Sequence, residues 1–211
     1  MEILDAIRRR RAVRDYKPDP VPPPALQQLI SAANWAPSAM NEQPWHYTVV
    51  TDRALMGEIS RQAKSAMLTQ LDSMPRSGHF RDLLNDAHYN IFYNAPLLIA
   101  ISAPADRQWC VEDCAMAAQN MMLAALDLGL GSCWIGFAQT WLNTAEGLRA
   151  LGLPSSQRVV APIILGYPKA QSPSVPEQWS VSHSFFRRAG RSPRLTKAAA
   201  SRGSRLAQAF A

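Results

Sequence analysis

Residues Glu112–Gly136 read EDCAMAAQNMMLAALDLGLGSCWIG, and the rest of the chain is organised around them. From Cys114 to Leu128 only Gln119, Asn120 and Asp127 interrupt an apolar run. A surface helix keeps one wide polar face, whereas a helix that is apolar nearly all round belongs in a core. Ala, Met and Leu are strong helix formers, and Glu112 and Asp113 suit the positive N-terminal end. Gly129 is placed to close the helix in a left-handed cap. Leu130–Gly136, LGSCWIG, then reads as a turn into a buried strand whose backbone something approaches closely. A buried helix feeding a glycine-flanked strand can frame a cofactor, and it is as often core alone.

Working outward, residues 2–11 read as a helix with Ile3, Leu4 and Ile7 on one face. Pro18–Pro24 is too proline-rich for a helix or a central strand. Pro24 can open the next helix, with Leu26, Leu29, Ile30 and Ala33 facing inward, and Pro37 stops it at Trp35 or Ala36. Trp45–Val50 alternates as a strand, and residues 53–71 carry helical spacing. Signals weaken from Ser73 to Asp86, where a mobile or excursion segment is expected. Leu97–Ile101 and Arg158–Gly166 are short apolar runs expected as covered strands. A short helix is expected over 142–151. Helices and strands are interspersed and the helices outnumber the strands, which gives an α+β layered domain.

The 211 residues fit one domain, placed here over 1–170, with a Pro-, Ser- and Arg-rich C-terminal extension over 171–211, partly disordered or wrapping a partner. Apolar residues at 47% and charged residues at 18% are ordinary for a globular chain. No uninterrupted apolar run suits a membrane span, and MEILDAIRRRR lacks the apolar core of a secretory signal. Three cysteines without framework spacing fit a reducing cytoplasm, and Cys110 with Cys114 lacks the further ligands a metal needs. The net charge of +6 raises nucleic acid as a partner, but no basic stripe with an aromatic platform accompanies it.

Three stretches carry chemistry. Arg10, Arg11 and Arg14 stand within RRAVR, and each guanidinium offers a planar fork of donors suited to phosphate. Such a run, taken alone, is more often a solvated surface. Pro37–Pro44 places Ser38, Asn41 and Gln43 on a proline-stiffened loop, with donors and acceptors that suit a heteroaromatic edge or an Asx-type turn. The glycines at 129–136 follow a helix and open none, so they are not a Rossmann fingerprint. Backbone N–H groups at that strand end could instead meet a flavin edge.

Together RRRAVRDY, APSAMNEQPWHY, NIFYNAP, EDCAMAAQNMMLAALDLGLGSCWIG and ILGYP, in this order over roughly residues 3–168, resemble the FMN-dependent nitroreductase family. The resemblance implies a three-layer α-β-α domain with a central mixed sheet and an intertwined homodimer sharing two FMN sites. It implies that Arg10, Arg11, Ala12 and Arg14 hold the phosphate, ribityl and pyrimidine side of FMN. Pro37, Ser38, Ala39, Asn41 and Gln43 would reach that flavin from the other subunit, and Trp134, Ile135 and Gly136 would flank its ring. The implied reaction is ping-pong: hydride from NADH or NADPH to flavin N5, then two electrons to a nitroaromatic, quinone or similar conjugated acceptor, with no acid/base side chain required. The chain departs from the family pattern in two places. Ala39 stands where relatives often carry Ser, and Ser172–Trp179 holds no Lys or Arg to complete the phosphate site, which leaves Arg187 and Arg188 by a longer path. Other acceptors remain open, as in an FMN-dependent dehydrogenase, oxidase or reductive dehalogenase, and so does a non-catalytic flavin-binding dimer.

Overall fold

Leu97–Pro104 (β2) and Gln157–Gly166 (β4) are the two inner strands of one four-stranded sheet, ordered β1-β2-β4-β3, with His46–Val50 (β1) and Gly131–Trp134 (β3) at its edges. In the computed structural model residues 2–71 and 78–170 are described, all within the unit Met1–Val175. The sheet was expected to be mixed, yet all three ladders are antiparallel. Its parallel pairing is an isolated bridge between Ala12 and Ser132. As an edge strand, β3 has an outer side left unpaired by the sheet, and the extra segment runs alongside it there.

Both inner strands are apolar on both faces, as strands covered twice must be. Leu98, Ala100, Val159 and Ile164 face one layer, where Arg53–Leu71 (α3), Gly78–Asn85 (α4), Gly136–Leu142 (α6) and Ala145–Ala150 (α7) pack. Leu97, Ile99, Ile101, Val160, Ala161 and Ile163 face the other, built from Pro23–Asn34 (α2) and Cys110–Asp127 (α5). Val160 and Ala161 share a face because the register shifts by one residue at Ile101/Ser102. Asn143 of the segment after α6 clasps that bulge, donating to the Val159 carbonyl and accepting from its N–H, each at 2.9 Å.

Helix α5 ends as its sequence dictates. Gly129 has φ +70, its N–H reaches the Leu126 carbonyl, and Leu130 N–H reaches that of Ala125 at 2.8 Å, the paired bonds of a Schellman cap. The helix is not buried all round: Val111 and Met116 are 39% and 47% exposed. Ile3–Arg9 (α1) likewise turns Ile3, Leu4 and Ile7 to solvent. Two segments differ from expectation. Most of the weak stretch 73–86 is α4, while 72–77 lies outside the described residues. The short helix expected within 142–151 is α7, capped by Thr144 through the Gly147 N–H at 3.1 Å, and it is preceded by an unexpected helix, α6, that starts just after β3. Aromatic and β-branched residues in FAQTWL weaken the intrinsic helix signal of α6, so packing decides it.

Candidate functional site

The arginine segment and the glycine-flanked strand come together. At Arg10 the backbone leaves α1 for an extended path, with φ −56 and ψ 129. Ala12 then bridges Ser132, and Val13 donates its N–H to the Ser132 carbonyl at 3.0 Å. The close approach expected at the glycines is made by this chain itself: a Cβ on Gly131 would meet the Val13 side chain at 2.7 Å. Buried Tyr16 donates its hydroxyl to the Val13 carbonyl at 2.6 Å and bridges Pro168, and Lys17 N–H reaches the Tyr167 carbonyl. RRRAVRDY is thus stapled along β3 and the end of β4.

This placement gathers positive charge. Arg11 donates through Nη1 to the Arg10 carbonyl, while its Nη2 is buried with no hydrogen-bond partner. A buried guanidinium donor left open in this way has the chemistry of an anion seat. Burial pushes the Cys133 thiol up, and Arg14 and Arg10 oppose that shift, which puts both guanidiniums close to β3.

The NIFYNAP stretch turns out to support Arg14. The Arg14 guanidinium lies over the Tyr93 ring, 6.0 Å from its centroid, a cation–π arrangement. Tyr93 and Asn94 both have positive φ, 51 and 55, which is uncommon outside glycine and Asn. Their neighbours fix them: Tyr93 and Tyr89 share a 2.8 Å hydroxyl bond, Lys64 donates to the Asp86 and Tyr89 carbonyls, and Ser60 accepts from Ile91 N–H. The Tyr-Asn pair before Ala95-Pro96 was the available sequence signal, since Asn tolerates the left-handed region.

At the end of β3, Trp134 is half-buried, and Ile135 just after it is buried. The Ile135 N–H is already committed to the Pro162 carbonyl at 2.8 Å. Gly136 is the first residue of α6, so its N–H has no acceptor within the helix, and the space where its Cβ would stand is open. Of the three residues in this stretch, Gly136 offers the amide.

Pro37–Pro44 lies elsewhere. It leads into β1 at the end of the sheet where His46 faces Ser102, whereas Arg10–Arg14 joins the opposite edge strand near the row of Gly131 and Gly166. Strand spacing and rise put these corners on the order of 20 Å apart. The loop is nevertheless built. Ser38 Oγ accepts from Gln43 N–H and Gln43 Nε2 donates to Asn41 Oδ1, at 2.9 and 3.0 Å. The fold of the single chain therefore unites two of the three sequence constellations. Arg187 and Arg188 lie outside the described residues, and among those residues no cluster of His, Cys, Asp or Glu could hold a metal and no helix is long and apolar enough to cross a membrane.

The Nitroreductase family profile matches residues 7–167, and the chain belongs to the nitroreductase family. Among its relatives is a Methanothermobacter thermautotrophicus protein named provisionally as NADH dehydrogenase/NAD(P)H nitroreductase, 31% identical over 178 residues that cover 82% of this chain and 80% of the relative. The nitrobenzene nitroreductase of Ectopseudomonas oleovorans is 31% identical, covering 85% and 92%. In three dimensions the chain resembles a Bacteroides fragilis nitroreductase with bound FMN at a TM-score of 0.73 and 31% identity, over 88% of this chain and 98% of the other.

Proposed function

We propose that the protein is an NAD(P)H-dependent FMN oxidoreductase whose flavin lies where the arginine segment meets the β3–α6 junction. Family membership supports the enzyme class, the cofactor and the nicotinamide donor. One observation carries the placement: Arg11 Nη2 is buried and unpartnered in a segment bridged to β3. Arg10, Arg11 and Arg14 hold the phosphate and the pyrimidine side, with Ala12 between them at the bridge to Ser132. Trp134 and Ile135 flank the ring and Gly136 offers its N–H. Positive charge beside the pyrimidine favours a reduced, anionic flavin. The chemistry that FMN supplies there is two-electron transfer, alternating between oxidation of NAD(P)H by loss of hydride and reduction of a conjugated acceptor such as a nitroaromatic or quinone.

The diagonal placement of Pro37, Ser38, Ala39, Asn41 and Gln43 supports a homodimer in which this loop completes the partner's site. The apolar surface of Ile3, Leu4, Ile7 and Met116 supports the same arrangement, since contiguous exposed apolar surface marks association.

The test is the absorbance spectrum of the purified protein and its response to anaerobic NADH, then NADPH. Flavin bands that bleach with either nucleotide carry the reading. Flavin that binds without bleaching turns it towards an oxidase or dehalogenase, and a protein that takes up no FMN overturns it.

A further inference from the structure

Among the described residues Asp113 is the charged side chain in the buried core, 6% exposed in the first turns of α5. Burying a carboxylate is costly unless it is hydrogen-bonded and paired. Its bond crosses 74 positions of sequence: Asp113 Oδ1 accepts the backbone N–H of Ala39 at 2.9 Å. Ala39 opens the turn Ala39–Asn41, and the three residues Met40, Asn41 and Gln43 that follow have φ of 52, 55 and 48. Left-handed backbone at non-glycine residues persists only where its surroundings over-determine it. Here the determinants are few. The Ser38–Gln43 bond is local to the loop, and the Glu42–Arg107 ion pair, at 3.1 Å, is exposed and screened by solvent. Among the described residues, the buried bond from α5 is the hydrogen bond that ties the strained turn to the core.

We propose that Asp113 is a positioning residue for the flavin, acting through the Ala39 amide to hold Ser38, Asn41 and Gln43 in their binding conformation. This rests on the assignment of that loop to the cofactor. It also links the apolar face of α5 to the loop, so the helix that carries the exposed surface also sets the loop's shape.

The test compares Asp113→Ala, Ala39→Pro and the double variant. Proline at 39 removes the donor while leaving the backbone path open, because Ser38 has φ −138 and ψ 154, the extended conformation that proline requires of its predecessor. Apo proteins are titrated with FMN by flavin fluorescence, and amide exchange is followed over residues 36–45. Each single variant is expected to weaken FMN about tenfold or more and to speed exchange across 40–43, as loss of a hydrogen bond to a charged group implies. The double variant is expected to bind no worse than the weaker single, since both remove one bond. Asp113→Asn, which keeps an acceptor oxygen, is expected within about threefold of the parent. Additive losses in the double variant, or parental affinity and exchange in Asp113→Ala, overturn the proposal. If the parent itself takes up no FMN, the flavin assignment fails, and exchange over 36–45 still decides whether Asp113 holds the loop.

Discussion

A Cβ on Gly131 would lie 2.7 Å from Cβ of Val13, closer than two carbons can pack, so the glycine is required by the arginine segment crossing it. The relationship joins two stretches more than a hundred residues apart into one site. Gly131→Ala must push Val13 away, at a cost of roughly 1–3 kcal/mol as for other overpacked positions. Because Val13 sits between Ala12 and Arg14, the same change is expected to weaken FMN binding. Val13→Gly in the same chain, which removes the Cβ as well as both methyls, should recover much of both, whereas Val13→Ala keeps the clashing Cβ. Thermal melts and FMN titration check this, and a Gly131→Ala protein with parental values in both would show that the segment does not depend on the contact.

Arg14 and Arg8 separate charge from position. Arg8 is exposed on α1, while Arg14 is half-buried over Tyr93 beside Cys133. Arg14→Ala is expected to weaken FMN at least about tenfold and Arg8→Ala hardly at all, because only the first removes a desolvated, charge-assisted donor. Tyr93→Phe keeps the ring face under the guanidinium but loses the hydroxyl bond to Tyr89 that helps hold the ring, so it should cost less FMN affinity than Arg14→Ala. Equal flavin retention in the Arg8 and Arg14 variants would remove Arg14 from the site.

What the sequence made legible follows from how local each signal is. Helix α3 spans Arg53–Leu71 as its periodicity predicts, and the glycine cap of α5 forms at Gly129. The doubly covered strands were readable as apolar runs. Non-local relationships were not: Asp113 suits a helix start on its own, and nothing in its neighbourhood points to Ala39. Tyr93 likewise stands in a quoted motif, but its role exists only because Arg14 arrives over it. The antiparallel order of the sheet is equally non-local, since four strands without registers are compatible with several pairings. Helix α6 was hidden because its residues are weak helix formers that the core recruits.

The exposed face of α1 and α5 predicts self-association. Ile3, Leu4 and Ile7 are 50% or more exposed, an arrangement a helix adopts when its apolar stripe has a partner outside the chain. Light scattering is expected to give a dimer, and Ile7→Asp to shift it towards monomer by burying a charge at the interface. Flavin should be lost along with the dimer, because the Pro37–Pro44 loop then reaches no second site. An Ile7→Asp monomer that keeps FMN would place the whole site within one protomer.

Alkaline pH offers a test that needs no cofactor. The three cysteines are free and buried. Burial pushes the Cys114 thiol up to about 12 from 9.0, and burial likewise raises Cys133, Tyr16, Tyr47 and Tyr89. Each of these groups is neutral when protonated, so above pH 9 the unfolded chain releases protons that the folded chain retains. The folded state then binds more protons, and unfolding becomes easier as pH rises. Stability should be level up to about pH 8 and fall steadily from about 9 towards 12, with Cys114 contributing on the order of a few kcal/mol at the alkaline end. Cys114→Ala should flatten the early part of that decline, since its share begins at the lowest ordinary value. Melts across the range, with thiolate absorbance recorded in parallel, read both effects. A native protein whose Cys114 thiol ionises at its ordinary value would mean that the layer between α5 and the sheet admits solvent, and that the apolar packing assigned to it is wrong.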